Sequence, residues 1–262
     1  MMKLIDLHCH ILSEIDDGPN DLETSIKLAQ AAVDQGIENM LLTPHHMDGT
    51  YTNSPNMIKK RVKDVQRILE KRKIPLNVFA SQEVHLTGEL IQAIEDDEIL
   101  FMDETKHYLL LELPHTTIPE YTEKIIIQLT TRGIVPVIAH PERNSEIRQN
   151  PDRLFDLVHM GCLTQLTSGS YLGTFGKEIQ NLTEKIIAAN LGFTFASDTH
   201  DFEGRRFLMK ETFDKLTEDL GADKANQFNQ NAKNIINGDD IDNLNYVRIS
   251  EISKRKKKFW LF

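Results

Sequence analysis

The segment Ile5-Asp6-Leu7-His8-Cys9-His10 is the part of the sequence from which the fold of this chain can be predicted. Successive side chains on a strand point to opposite faces, so Asp6, His8 and His10 share one face and the three apolar residues share the other. Two imidazoles would then converge on one point, and neutral imidazole is a common ligand of transition metals. A polar surface cluster near a terminus is the alternative. The choice depends on whether further ligands occur at equivalent positions.

Short apolar runs recur after this first strand, and each is separated from the next by a segment with helical spacing. Strands alternating with helices indicate parallel βαβ units of about 30 residues. Seven such units in 262 residues favour an α/β barrel over an open, doubly wound sheet. No Gly-rich phosphate loop follows any predicted strand, which weakens the doubly wound alternative. The predicted strands are 3–8, 39–43, 77–82, 108–111, 134–139, 162–166 and 193–196.

The helices between these strands carry apolar stripes and recognisable ends. Asn20-Asp21-Leu22-Glu23 resembles a capping box, and Gly36 suits the C-terminus of the helix that follows. No linker interrupts the pattern, so we predict one domain over 1–250 and a tail over 251–262. The further predicted helices are 56–73, 88–94 with Thr87 as its cap, 120–131, 152–160, 177–190, 206–219 and 222–236.

Composition excludes several classes of protein. A net charge of −10 disfavours a nucleic-acid surface, because phosphate backbones are bound by basic patches. Two cysteines are too few for a disulfide framework. No apolar run approaches the roughly 18 residues of a membrane span, and the first strand begins too early to leave room for a signal peptide. We therefore expect a cytoplasmic protein.

The C-terminal tail departs from this acidic balance. Residues 254–258 are all basic, and 259–262 read Phe-Trp-Leu-Phe. A basic cluster beside aromatic residues suits peripheral contact with an anionic membrane surface, where each cation contributes about 1 kcal/mol. A solvated tail is the alternative.

Metal-competent side chains follow six of the seven predicted strands, and strand six is the exception. In a barrel the C-terminal strand ends meet at one face, where active sites are built. Asp17, on the first loop over that face, is a ninth candidate. The other eight, in chain order, are His8, His10, His45, Glu83, Glu112, His140, Asp198 and His200.

These nine residues predict a multinuclear site. Four carboxylates, those of Asp17, Glu83, Glu112 and Asp198, would repel one another strongly unless cations neutralised them. A transition metal takes about four to six ligands, so nine ligands suit two or three divalent ions with open positions. Mixed imidazole and carboxylate ligands admit manganese, iron or zinc, and the absence of cysteine ligands disfavours a structural zinc site.

Other histidines have weaker claims to the site. His46 is the alternative to His45 as the ligand after strand two. Those that lie off the strand-end pattern are expected at the surface or in satisfied core positions, and Cys9 is expected to pack. The off-pattern histidines are His85, His107, His115 and His159.

Two arginines accompany the ligands, Arg143 and Arg205. Guanidinium groups fork onto phosphate oxygens, although either arginine could instead pair with a surface carboxylate. Beside a multinuclear metal site their joint presence favours an anionic, phosphorylated substrate.

These motifs, taken in order, resemble the polymerase and histidinol phosphatase (PHP) superfamily. More closely, the chain resembles the manganese-dependent protein-tyrosine phosphatases of bacterial capsule and exopolysaccharide loci. The resemblance extends from the N-terminus to about Arg205. The motifs that carry it are Asp6-Leu7-His8-Cys9-His10, Asp16-Asp17-Gly18-Pro19, Thr43-Pro44-His45-His46, Glu83, His140-Pro141-Glu142-Arg143 and Ser197-Asp198-Thr199-His200.

The resemblance implies a distorted seven-stranded (β/α)7 TIM-like barrel, the PHP fold, around a trinuclear site. One ion would be held by His8, His10, Glu83 and Asp198, a second by Glu83, Glu112 and His140, and a third by Asp17, His45 and His200. Asp6 then becomes a hydrogen-bonding partner of the ligands. Arg143 and Arg205 match the family's phosphate-binding arginines.

The implied activity is hydrolysis of phosphotyrosine in the tail of a membrane-associated bacterial tyrosine kinase that controls polysaccharide export. Water bridging two divalent ions supplies hydroxide near neutral pH, so no cysteine nucleophile is required. The Cys, five residues and Arg pattern of cysteine phosphatases is absent around both Cys9 and Cys162. Two alternatives stay open: a small-molecule phosphatase such as histidinol phosphatase, and a metal-stabilised binding subunit without turnover.

Overall fold

The computed structural model describes residues 2–242 and 245–252. Its strands are β1 Leu4–Asp6, β2 Ile37–Leu42, β3 His45–His46, β4 Asn77–Ala80, β5 Glu83–His85, β6 Tyr108–Glu112, β7 Val135–Ala139, β8 Leu163–Thr167 and β9 Thr194–Ala196. Its α-helices are α1 Leu22–Asp34, α2 Pro55–Arg72, α3 Leu90–Glu95, α4 Thr122–Thr131, α5 Ser145–Gln149, α6 Asp152–His159, α7 Ser168–Leu172, α8 Lys177–Ala188, α9 Met209–Leu220 and α10 Ala222–Asn237.

The strands form two parallel sheets. The first has three strands in the order β1-β2-β4, and the second has six in the order β3-β5-β6-β7-β8-β9. Two residues separate β2 from β3, and two separate β4 from β5, so β3 and β5 lie just beyond the predicted strands 39–43 and 77–82. The amide of Ser81 donates to the carbonyl of Leu42 (3.0 Å) and that of Glu83 to Pro44 (3.2 Å), which continues the pairing across both interruptions.

An isolated parallel bridge between Cys9 and Thr199 connects the two sheets beyond the ends of β1 and β9. The amide of His10 donates to the carbonyl of Thr199 at 2.8 Å, and that of Asp198 donates to His8 at 2.8 Å. The predicted α/β architecture with parallel strands is confirmed. A closed barrel is not shown, because the described strands divide into two separate sheets of three and six strands.

Helix α2 shows how the helices attach to the strands. Ile58, Val62, Val65 and Leu69 recur at helical spacing, and all four are buried as the sequence predicted. Burying one such side chain contributes roughly 1.5–3 kcal/mol. Pro55 occupies the first turn, where its missing N–H costs nothing. The buried apolar residues of the strands and helices form one connected core cluster.

Several predicted helix ends were wrong. Asp21, not Asn20, caps α1: its carboxylate accepts a hydrogen bond from the amide of Thr24 at 2.8 Å. Helix α3 begins at Leu90, two residues later than predicted, although the hydroxyl of Thr87 accepts a hydrogen bond from the amide of Glu89 at 3.3 Å. The sequence also missed α5 and α7, because five-residue helices are too short to show a hydrophobic period.

The described chain ends in a segment that lies against the outer helices. The amide of Val247 donates to the carbonyl of Ala189 at 3.0 Å, and Arg248 contacts Asp156 at 2.9 Å. None of the described helices is both long and apolar enough to cross a bilayer. Most of the predicted basic and aromatic tail, residues 253–262, lies outside the described residues.

Candidate metal centre

All nine residues predicted as metal ligands lie together at the C-terminal ends of the strands. They form four overlapping groups, and within each group one donor atom of every residue lies within 4.8 Å of the others. The overlap indicates a continuous cluster of donors and not separate sites. The groups are His10, Asp17, His45 and His200; His8, His10 and Asp198; His8, Glu83 and His140; and His45, Glu83 and Glu112.

The rings of His8 and His10 converge as their alternation on the first strand requires. Their Nε2 atoms lie 2.9 Å apart. Oε2 of Glu83 lies 3.3 Å from each of these nitrogens, and Oδ1 of Asp198 lies 3.4 Å from that of His8. All four side chains are fully buried. Two imidazole nitrogens and two carboxylate oxygens directed at one point are a donor set suited to a divalent transition metal.

Glu83 is the centre of the cluster. Its Oε1 lies 2.8 Å from Nε2 of His140, and its Oε2 lies 3.0 Å from Nδ1 of His45. Glu112 approaches from the neighbouring strand, with Oε1 3.8 Å from the same nitrogen of His140. A carboxylate placed between imidazoles on several sides has the geometry of a bridging ligand.

Asp17 completes the cluster on its open side. Its Oδ1 lies 2.9 Å from Nε2 of His200 and 3.4 Å from Nε2 of His45. The Asp17 side chain is 45% exposed, whereas those of His45 and His200 are 13% and 3% exposed. Solvent and substrate therefore reach the cluster from the Asp17 side.

Buried atoms without hydrogen-bond partners test whether the cluster fits a metal. Among the described residues, Oε2 of Glu83, Nδ1 of His45 and Nε2 of His200 are buried and lack a hydrogen-bond partner of good geometry. Unsatisfied buried polar atoms are costly, so such atoms usually bind a water molecule or an ion. Three of them in one cluster of imidazoles and carboxylates fit bound divalent cations.

Side chains behind the cluster orient the candidate ligands. Oδ2 of Asp16 lies 2.8 Å from Nδ1 of His10, and Oε1 of Gln165 lies 2.7 Å from Nδ1 of His8. Metal-ligating histidines usually bond their second nitrogen in this way, which fixes ring orientation and tautomer. Neither Asp16 nor Gln165 was predicted from the sequence to orient a ligand. Gln165 is the contribution of strand six, the strand that carried no candidate ligand.

Asp6 supports the cluster through the backbone. Its carboxylate accepts hydrogen bonds from the amides of His8 (3.3 Å) and Ser197 (2.9 Å) and from the hydroxyl of Ser197 (2.6 Å). These contacts tie the first strand to the turn that carries Asp198. Burial raises the pKa of Asp6 to about 6 despite these hydrogen bonds.

The backbone is strained where it presents two of the candidate ligands. His140 has φ +33° and Asp198 has φ +53°, values that L-residues rarely adopt and that cluster at functional sites. Gly18 is required because space is lacking for any larger residue. A Cβ there would collide with the carbonyl oxygen of His10, so only glycine lets the loop with Asp16 and Asp17 lie against the first strand.

Neighbouring charges set the protonation of the histidines. Burial lowers the pKa of His8, but the carboxylates of Glu83 and Asp198 outweigh it and raise that pKa to about 9. Burial is likewise outweighed at His45, where the adjacent carboxylates of Asp17 and Glu83 raise the pKa to about 12. For His200, burial and the nearby His10 lower the pKa to about 4.

The carboxylates stay ionised although they are buried. Burial raises the pKa of Glu83, but His8 and hydrogen bonds from other histidines hold it well below its usual range. Asp198 is also fully buried, and the charges of Arg205, His8 and Arg143 keep its pKa low. Such anionic oxygens are good ligands for divalent cations.

Both predicted arginines reach Asp198, not a distant surface carboxylate. Nη1 of Arg143 pairs with Oδ2 of Asp198, and Nη2 of Arg205 lies 2.6 Å from Oδ1. Nη1 of Arg205 lies 3.5 Å from Oδ2 of Asp17, at the open side. The two guanidinium groups are 18% and 24% exposed, so they line the solvent side of the cluster.

Two histidines expected away from the site lie at its edge. Nδ1 of His85 lies 3.0 Å from Oε2 of Glu112, and Nε2 of His115 lies 3.9 Å from Oε1 of the same residue. His46 is buried, and its Nδ1 accepts a hydrogen bond from the amide of Asn53 at 3.2 Å. Cys9 is buried, and its thiol donates to the carbonyl of Leu41.

A cavity of about 1630 Å³ lies elsewhere, and none of the nine candidate ligands lines it. Its wall includes Ile5, Leu41 and Phe79 from the three-stranded sheet and Lys233 from α10. The metal cluster is instead largely buried, and Asp17 is its most exposed candidate ligand.

Comparison with known proteins gives matches over almost the whole chain. A family model described as capsular polysaccharide synthesis, CpsB/CapC, matches residues 4–237. The chain is 38% identical over 259 residues to the tyrosine-protein phosphatase YwqE of Bacillus subtilis, covering 99% of this chain and 100% of that protein. It is 39% identical over 210 residues to the putative tyrosine-protein phosphatase CapC of Staphylococcus aureus, covering 80% of this chain and 82% of that protein.

A solved structure also matches closely. It comes from a crystallographic description of YwqE from Bacillus subtilis and CpsB from Streptococcus pneumoniae as unique metal-dependent tyrosine phosphatases. The TM-score is 0.90 at 37% sequence identity, and the match covers 94% of this chain and 99% of that one.

Proposed function

The chain belongs to the CpsB/CapC family of capsular polysaccharide synthesis, and from this membership we infer that it is a metal-dependent tyrosine-protein phosphatase. The resemblance drawn from the sequence motifs is confirmed by the family model and by the relatives. The observation that carries the function is the cluster of histidine and carboxylate donors with Arg143 and Arg205 on its solvent side.

The cluster is proposed to hold two or three divalent ions, manganese in the first place and iron or zinc as alternatives. All nine candidates have a donor atom in the cluster, and the unpartnered buried atoms support a bound cation. The grouping implied by the resemblance differs slightly from the observed one. His10 lies with Asp17, His45 and His200, so it stands between two of the three implied ions.

When bound, the ions supply a water acidified enough to attack phosphorus near neutral pH. The residues of the chain bind and orient the phosphoryl group. Arg143 and Arg205 face solvent beside Asp198 and present charged N–H groups to the phosphoryl oxygens. Both are proposed as catalytic and substrate-binding residues, because they would hold the phosphoryl group and neutralise its charge during transfer.

The open mouth of the cluster supports a substrate carried on a peptide. Asp17 and the two arginines are partly exposed, so a tyrosyl phosphate on a flexible chain can reach them. The proposed partner is the phosphotyrosine-containing tail of a bacterial tyrosine kinase in the same synthesis pathway. The corresponding location is the cytoplasm at the inner face of the membrane, with residues 251–262 in peripheral contact with lipid.

Two statements about architecture are also proposals. The two sheets would together form the distorted seven-stranded barrel if β2 with β3, and β4 with β5, are counted as single bent strands. The hydrogen bonds across both interruptions and the Cys9–Thr199 bridge support this view. Residues 1–250 would then form one metallophosphatase domain.

The test compares catalytic efficiency on a phosphotyrosine peptide and on histidinol phosphate, with manganese added to the chelator-stripped protein. We expect clear preference for the peptide and no turnover before manganese is restored. Preference for histidinol phosphate, or turnover that persists after exhaustive EDTA treatment, would reject the proposal.

A further inference from the structure

Tyr51 lies on a tight turn beside the metal cluster. The amide of Met47 donates to the carbonyl of Tyr51 at 3.1 Å, which closes the turn. Oδ1 of Asp48 accepts from the amides of Thr50 (2.8 Å) and Tyr51 (2.6 Å). Met47 and Gly49 both have positive φ, as such a reversal requires. The backbone that carries Tyr51 is therefore fixed before any substrate arrives.

The ring of Tyr51 covers the edge of the cluster at its open side. It stacks on the imidazole of His45, with centroids 6.1 Å apart and planes inclined by 12°. His45 contacts Asp17 at 3.4 Å, and Asp17 contacts Arg205 at 3.5 Å. Tyr51 is itself only partly buried. One face of the Tyr51 ring packs on His45. The rest of the ring lies beside the charged groups of Asp17 and Arg205, which would hold a phosphate.

Phe175 occupies a different position. The guanidinium of Arg143 lies 5.0 Å from the centroid of its ring, so that contact holds an arginine and not a substrate. Tyr51 stacks on the imidazole of His45, beside the opening of the cluster. It is therefore the better-placed aromatic side chain for a group that enters from solvent.

We propose that Tyr51 is a specificity-determining residue that packs against the phenyl ring of an aryl phosphate. The proposal rests on the proposed phosphatase function and adds the reason for an aromatic substrate. A phosphate held at Arg205 and the Asp17 side leaves its ester group pointing out of the mouth, past Tyr51. Aromatic pairs add to affinity beyond the area that they bury, by roughly threefold to tenfold.

The experiment measures inhibition by two non-hydrolysable ligands, phenylphosphonate and methylphosphonate, on the manganese-loaded full-length protein. They share the charged head and differ in the ring. We expect Tyr51→Ala to raise the inhibition constant of phenylphosphonate by about threefold to tenfold. The inhibition constant of methylphosphonate should stay within about twofold of the wild-type value. The KM for a phosphotyrosine peptide should rise by a similar factor while kcat changes less. Tyr51→Phe keeps the ring and should restore most of the lost phenylphosphonate affinity.

Phe79→Ala is the matched control, because Phe79 is a 44% exposed aromatic residue on the wall of the separate cavity. It should change neither inhibition constant. Equal weakening of both phosphonates in Tyr51→Ala would mean that Tyr51 only supports His45, and would overturn the inference. So would a phenylphosphonate inhibition constant that Tyr51→Ala leaves unchanged, when the wild type hydrolyses phosphotyrosine. A wild type that does not hydrolyse phosphotyrosine would overturn the proposed function and the inference together.

Discussion

Asp16→Asn tests whether a hydrogen bond between Asp16 and the second ring nitrogen of His10 fixes the tautomer that binds metal. Oδ2 of Asp16 lies 2.8 Å from Nδ1 of His10, and both side chains are fully buried. The carboxylate accepts a hydrogen bond from the N–H group at Nδ1 and so keeps Nε2 free to bind a cation. An amide nitrogen in that place would need an acceptor, which favours the tautomer with its proton on Nε2. That proton would point at Glu83 and at the position of the ion.

Most of the magnitude follows from this contact, and the same oxygen also accepts a longer hydrogen bond from the amide of His45 at 3.3 Å. A buried hydrogen bond to a charged group contributes about 1.5–3 kcal/mol, which corresponds to roughly 10- to 150-fold in affinity. Loss of such a partner behind a metal ligand typically costs 10- to 100-fold. The other oxygen, which accepts from the amide of Gly18 at 3.0 Å, is retained in asparagine, so the loop should keep its position.

The assay is activity on a phosphotyrosine peptide as a function of free manganese, with metal content measured on the same samples. We expect the half-saturating manganese concentration to rise by about 10- to 100-fold, with most of the kcat recovered at saturation. Asp21→Asn is the control, because Asp21 is an exposed helix cap and asparagine caps helices equally well. Unchanged manganese affinity in Asp16→Asn would refute the argument.

Three further predictions follow from the cluster. EDTA should abolish phosphotyrosine hydrolysis, while a thiol-alkylating reagent should leave it largely intact because Cys9 and Cys162 are buried; inactivation by alkylation alone would contradict a metal-dependent attack. His8→Ala and Asp17→Ala should lose different fractions of bound metal, read by elemental analysis, because they belong to different donor groups; identical losses would argue for one shared ion. Manganese binding to the stripped protein at pH 7 should release a proton from each of His8 and His45, whose pKa values lie at about 9 and about 12. Calorimetry in buffers of different ionisation enthalpy measures that release, and a binding enthalpy that is independent of the buffer would count against it.

The strand-end pattern was informative because parallel strands bring their C-terminal ends to one edge. It located the candidate ligands, including the choice of His45 over His46, since His45 reaches Glu83 and His46 does not lie in any donor group of the described residues. The strand bounds were less accurate. The interruption between Leu42 and His45 is not visible in the sequence, which shows only one apolar run followed by polar residues.

The residues behind the ligands could not be recognised in the same way. Gln165 has no chemistry of its own that marks a metal site, and its role depends on lying 2.7 Å from His8 across 157 positions of sequence. Asp16 stands next to a candidate ligand, so adjacency was the only available signal. His85 and His115 were expected at the surface or in satisfied core positions because they lie off the strand-end pattern. His85 nevertheless pairs with Glu112 in the register of β5 and β6, and His115 follows Glu112 by three residues.

The bridge between Cys9 and Thr199 has a consequence for the order in which the protein is made. It joins the two ends of the fold, and two of the four donor groups combine residues from the first strand with Asp198 or His200. Contacts between residues so distant in sequence form late, because the chain loses loop-closure entropy before the contacts can stabilise it. A nascent chain still lacking residues after Ala196 therefore has no complete cluster. Complete metal loading therefore reports that the segment around His8 and the segment around Asp198 have met, since the full donor set exists only then.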